Sequence, residues 1–166
     1  MSPKSQNDII SVIGYDVIRA NIVEEIQKAG FFSVLADEVS SHNVEHMPIC
    51  LRFVDERCDI REDFMAFVRL DRVRATDITK AIVATIEELG LSLNELRGQG
   101  YDGAATMKGE KSGVQKQIHD LQPKAVYTHC AGHSFNLSIV TACSIPLVSN
   151  CIEQIKSFTL WIEYSA

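Results

Sequence analysis

The chain has 166 residues, 46% of them apolar and 23% charged, with a formal net charge of −6. One domain's length with this much apolar material builds a core and excludes a disordered chain. The acidic balance excludes a free-standing basic nucleic-acid module, so a DNA partner has to be met by a local patch, a metal ion or another part of the protein.

In chain order, the first predicted element is a helix over residues 5–30. Its apolar residues recur from Ile10 through Ile26 at the helical period, Gly14 is a point where it splits, and Gly30 stops it. "FFSVLADEV" is short, apolar and rich in aromatic and β-branched residues, which predicts a buried strand ending at Asp37 and Glu38. "SSHNVEHM" reads as a polar turn. "MPICLRFVDE" and "CDIREDFMAFVRL" follow as two strands joined by a charged turn near Asp55–Asp59, which makes an antiparallel meander of three.

The period then switches. "RATDITKAIVATIEELG" predicts a helix capped by Thr76 or Asp77, with Ile78, Ile82, Ile86 and Leu89 on one face and Gly90 at its end. A brief strand around Leu96–Gly98 leads to Asp102. A helix is expected over 111–121, and "KAVYTHCAGH" reads as another strand. "SFNLSIVTACS" is expected as a helix capped by Ser134, and Pro146 separates it from a last amphipathic helix over 147–162. Three meandering strands followed by alternating helices and strands imply a mixed α/β sheet with helices on its faces.

Such a sheet can bring Asp37 and Asp102 together if their strands are adjacent. Paired carboxylates repel unless a divalent cation neutralises them, and magnesium or manganese suits such oxygen ligands. A phosphodiester-transfer site usually adds a third acid. Glu38 is poorly placed because successive strand residues face opposite ways, and Glu153 and Glu163 are weak options. The other reading, that both aspartates cap turns, stays open.

Cys130 and His133 have the C-x-x-H spacing of half a zinc site. Cys50, Cys58 and His42 supply the other half only if the fold gathers them. The alternative is local packing, with His133 bonding across the turn before Ser134. His129 sits at the same edge. A Cys130 nucleophile between two histidines is disfavoured, since a base so near in sequence seldom has the right geometry. "GQGYDG" carries an aspartate that repels a pyrophosphate, and "GEKSG" has the wrong spacing for a phosphate loop, so neither is read as a nucleotide site. Lys108, Lys111 and Lys116 read as a solvated helix face, with contact to a phosphate backbone as the alternative.

The five cysteines are odd in number and irregular in spacing, which predicts reduced, mostly buried thiols and a nuclear or cytoplasmic setting. No apolar run reaches the length of a membrane span, so no membrane partner is expected.

"FFSVLADEVSS", "RGQGYDGAATMKGEKSGVQKQI" and "AVYTHCAGHSFNLSI" together resemble the catalytic domain of hAT-type transposases, and more closely the transposase-derived zinc-finger or MYM-type proteins of animals. The resemblance runs over roughly residues 21–155. It implies a ribonuclease H-like fold with strand order 3-2-1-4-5 and places the family's first two catalytic, metal-holding aspartates at Asp37 and Asp102. It sets Cys130 and His133, with His129 beside them, near target DNA. The family's usual first motif has a further acidic residue where this chain reads Val39-Ser40-Ser41-His42. The family's helical insertion and third acid begin about where the sequence stops.

The resemblance therefore implies a truncated, domesticated fragment, inactive alone: a lead-in helix over 1–30, an incomplete core over 31–146 and a C-terminal helix over 147–166. Magnesium or manganese and DNA belong to the full-length activity. The alternatives are a regulatory or protein-contact scaffold and an unrelated metal-dependent phosphoesterase. Some apolar residues of the last helix, Phe158 and Trp161 among them, are expected to lack cover and to favour self-association or a protein partner.

Overall fold

The structure is a computed structural model, which describes residues 2–37, 39–41 and 44–165, with side chains described outside 39–41 and 163–165. The chain divides into two compact units, Met1–His129 and Cys130–Ala166.

The first unit opens on a helical run of three stretches: α1 (Pro3–Ser11), a wider π-helical stretch (Val12–Arg19) and α2 (Ala20–Ala29). Gly14 does not break the run; the helix widens around it instead. The Ser2 hydroxyl accepts a hydrogen bond from the Ser5 amide at the start. Gly30, at φ 77°, closes the end with its amide on the Ile26 carbonyl. That backbone conformation is one a side chain rarely tolerates. Only Ile26 of this run is fully buried.

The strands are β1 (Phe32–Ala36), β2 (Val39–Ser41), β3 (Val44–Val54), β4 (Ile60–Leu70), β5 (Leu96–Tyr101) and β6 (Val126–His129). Alternation builds the buried face: Phe32, Val34 and Ala36 on β1, and Met47, Ile49, Leu51 and Phe53 on β3, all point into the core. β3 pairs antiparallel with β1 and with β4, while β1–β5 and β5–β6 are parallel. β2 pairs with the start of β3 and continues the line of β1 past Asp37. With β1 and β2 counted as one interrupted strand, the sheet has the order 3-2-1-4-5 of a ribonuclease H-like fold. The segment read as a polar turn is thus partly a hairpin, β2 with the first residues of β3, because backbone pairing prevails over polar side chains.

The helix α3 (Ala75–Glu88) packs along β4 and buries Ile78, Ile82 and Ile86. It starts earlier than Thr76 or Asp77 would allow as caps: Arg74 is the N-cap, and its carbonyl takes the Asp77 and Ile78 amides. Asp77 sits in the first turn instead and pairs with Arg74 at 2.9 Å, where the helix dipole favours a negative charge. A 3-10 turn (Leu93–Glu95) leads into β5. The one-turn helix α4 (Ala105–Lys108) has no counterpart in the sequence reading, and α5 (Val114–Leu121) buries Val114 and Ile118.

The second unit holds α6 (Ala131–Ala142) and α7 (Pro146–Ser165). Ser134 is not the cap of α6. Cys130 is, because β6 ends at His129 and the chain turns at once. None of the described residues of this unit is fully buried. Among the described residues, no single helix is long and apolar enough to cross a membrane.

Candidate functional site

Three parallel strands, β1, β5 and β6, end on the same edge of the sheet. The strand order reverses at β1, whose antiparallel neighbour β3 lies on one side and whose parallel neighbour β5 lies on the other. Clefts at the carboxyl ends of strands around such a reversal are where ligands bind in open α/β sheets.

The register sets the heights of the aspartates. Leu35 is partnered with Gly100, on strands spaced about 4.8 Å apart, and Asp37 and Asp102 each lie two residues beyond that pair, just past the strand ends. Ala36 and Tyr101, the last residues of the two strands, are both buried. Each aspartate is the first residue past its strand and directly follows a buried neighbour. Asp37 is exposed and Asp102 half-buried.

Asp102 is fixed at two points. Its Oδ1 accepts the Ala104 amide at 3.1 Å, and its backbone carbonyl accepts the Tyr127 hydroxyl at 3.0 Å. Burial, and then the Asp102 charge, raise the Tyr127 hydroxyl above its usual titration range. Tyr127 stacks on Tyr101 at 6.2 Å between centroids, and burial raises the Tyr101 hydroxyl well above the phenol range. His129 ends β6 opposite Tyr101. A Cβ at Gly103 would stand 2.9 Å from His129 Nε2 and 3.1 Å from Cε1, so the imidazole lies against the turn that follows Asp102. The missing side chain of Gly103 lets ring and backbone approach.

Gly98 and Gly100 leave room for the Ser33 and Leu35 side chains of β1, while Gly109 and Gly113 let two backbone segments approach. A Cβ on Gly113 would come within 2.4 Å of the Gly109 amide nitrogen, and the Gly113 amide bonds to the Gly109 carbonyl at 2.9 Å. "GEKSG" is therefore a closed turn between α4 and α5. Lys116 on α5 is ion-paired with Asp120 on a solvated face.

Gln99, Tyr127 and Gly103 carry structural weight that the sequence reading passed over. Gln99 is buried on β5, and its Nε2 donates to the carbonyls of Gln115 and Ala125, tying α5 and the approach to β6 to the central strand. A glutamine flanked by two glycines, between Leu96 and Tyr101, was the available signal.

In the second unit, Cys130 is the N-cap of α6, and its thiol is near the His133 amide and side chain and the Gly132 amide. These hold its thiol below the usual range, the His133 amide contributing most. The C-x-x-H pair is thus joined locally across the helix start. Cys130 lies past the strand rather than in it. All five cysteines are free thiols; Cys58 and Cys151 are exposed and the other three half-buried, so the expectation of mostly buried thiols is corrected. Cys50 faces Glu62 and Asp63, and burial, then those charges, push its thiol up. Among the described residues no three His, Cys, Asp or Glu side chains converge in a way that could hold a metal ion; Cys50 and Cys58 belong to the first unit and Cys130 and His133 to the second. Glu38 and His42 lie outside the described residues, as does the side chain of Glu163.

Residues 1–113 match the family described as "ZMYM1/FAM200, RNase-like domain" (DUF4371). The chain belongs to that family. The match takes in β1, β5, Asp37 and Asp102. The chain is also similar to the human "52 kDa repressor of the inhibitor of the protein kinase", 28% identical over 159 residues, covering 93% of this chain and 21% of the relative. The mouse protein of the same description is 28% identical over 161 residues, with the same two coverages. The chain thus spans about a fifth of the length of these relatives.

Proposed function

We propose that this chain is a transposase-derived ribonuclease H-like domain of the hAT type, whose Asp37 and Asp102 together hold a magnesium or manganese ion against the phosphate backbone of DNA. The observation that supports the reading is the parallel β1–β5 pairing, with Leu35 opposite Gly100 and Asp37 and Asp102 each two residues beyond that pair. The donor set suits the ion, since magnesium is commonly held by one or two carboxylates plus substrate phosphates. Bound there, the ion would supply charge stabilisation for phosphodiester cleavage and strand transfer.

The chain's own residues do the positioning. The Ala104 amide and the Tyr127 hydroxyl fix Asp102, and His129 packs over the turn behind it. Among the described residues no third acid joins the pair, so cation and DNA holding, rather than turnover, is assigned to this chain alone, with the nucleus as the setting. Calorimetry with manganese tests this: the wild type binds, and Asp37→Asn and Asp102→Asn each weaken binding at least tenfold. Equal binding by either variant rejects that residue as a ligand.

A second reading, a regulatory scaffold without catalysis, draws on the relatives' description as a repressor and on the exposed apolar residues of α6 and α7. Under it, both Asn variants keep partner binding and function in cells.

A further inference from the structure

We propose that the β4–α3 corner, with Arg69, Arg72 and Arg74, is a second contact for the DNA backbone, on the same sheet edge as Asp37 and Asp102; it rests on the DNA-holding reading above. The chain is acidic, so the location of its under-neutralised cations matters. Elsewhere in the first unit several arginines and lysines are engaged, while Lys80, Lys108, Lys111 and Lys124 are single cations rather than a cluster of arginines. Arg52 pairs with Glu62, Arg61 with Glu25 and Asp63, and Lys28 with Glu24. Arg97 and Arg19 lie over the rings of Phe31 and Tyr15.

The corner gathers three arginines against two acids, Asp71 and Asp77, in one lining. Arg69, Arg72 and Arg74 fall within six positions and are all exposed. Arg69 reaches Asp71 only at 3.9 Å, with both side chains largely in solvent, and such a pair contributes little. Arg72 has no ion-pair partner among the described residues. Arg74 pairs with Asp77. These residues line a shallow concavity of about 360 Å³ with Ala81 and Leu70.

The corner lies on the right edge of the sheet. β4 runs in the direction of β1, because both are antiparallel to β3, so its C-terminal end emerges on the edge where β1 and β5 end. Leu70 is partnered with Glu45 and Ala36 with Ile49, four positions apart along β3 and two strand spacings across. That sets the corner roughly 15–20 Å from the aspartates. The span is about half a turn of duplex, so a single DNA segment reaches both. The charged turn at the far end of β3 and β4 faces away.

The test is fluorescence anisotropy of a 20-base-pair DNA duplex across a salt series, with and without manganese, on the whole chain. Substituting all three arginines (Arg69→Gln, Arg72→Gln, Arg74→Gln) is expected to weaken binding at least tenfold at low salt. It should also lower the salt-dependence slope by about 2–3, since each phosphate contact contributes about 0.9. Arg57→Gln at the far turn is expected to change neither, and circular dichroism checks that all variants fold. An unchanged slope in the folded triple variant overturns the corner, and so does a wild-type chain that does not bind the duplex at low salt. If the arginine effect stands but manganese and Asp102→Asn alter nothing, the metal reading alone falls.

Discussion

Helices α3 and α6 are similar in length and rich in apolar residues, yet they meet opposite fates. α3 repeats isoleucine at positions 78, 82 and 86, a spacing that makes one continuous stripe, and all three are fully buried. α6 scatters Phe135, Leu137 and Val140 around its circumference, and each is at least 60% exposed. Apolar content alone therefore does not decide burial; a stripe that matches a sheet face does. The first unit builds its own core, whereas the second displays apolar surface, including the stacked Phe158 and Trp161.

The largest effect that separates the two helices is truncation. Ile82→Ala is expected to cost about 2–5 kcal/mol in denaturant unfolding, as for other buried large-to-small changes. Leu137→Ala is expected to stay within about 0.5 kcal/mol, as for an exposed site. Equal effects would dissolve the contrast. Next comes the polar tie inside the first unit. Gln99→Leu leaves the Gln115 and Ala125 carbonyls without their donor, and a loss of about 1–3 kcal/mol is expected. A neutral result would show that water or a neighbour satisfies them.

Gly103→Ala probes the glycine cluster directly, since the new methyl would displace the His129 ring. Urea unfolding is expected to show a loss of about 1–2 kcal/mol, in the range of small overpacking changes, and manganese binding should weaken with it. The smallest effect lies at the start of α6. Because hydrogen bonds from His133 lower the Cys130 thiol, more thiolate is present near neutral pH than at an ordinary cysteine. Alkylation with iodoacetamide at pH 7.5 should therefore label Cys130 faster than Cys50, and His133→Ala should slow it by a few-fold. Unchanged labelling would remove the side-chain contribution.

Local periodicity carried much of the architecture. The alternation from Met47 to Phe53, the stripe on α3 and the stop at Gly30 are written in neighbouring residues, so they were legible. β2 was not, because its polar residues pair through the backbone with the start of β3. The α4 turn is too short to show a period. Thiol exposure depends on which face a cysteine meets after folding, as Cys58 in the β3–β4 turn shows. The proposed pairing of Asp37 with Asp102 joins residues 65 positions apart. The sequence offers it only conditionally, since parallel pairing of β1 with β5 leaves no local mark. The packing of His129 against Gly103 and the Tyr127 anchor were hidden for the same reason.

The most direct measurement of that pairing is a cross-link. Cysteines introduced at both positions (Asp37→Cys with Asp102→Cys) place their Cα atoms within the roughly 4.4–6.8 Å that a disulfide needs, given neighbouring parallel strands in register. Mild oxidation of the folded protein, followed by peptide mapping, should recover a 37–102 bridge in high yield. A folded protein that forms no such bridge, while its native fold is retained, would contradict the shared-cation site.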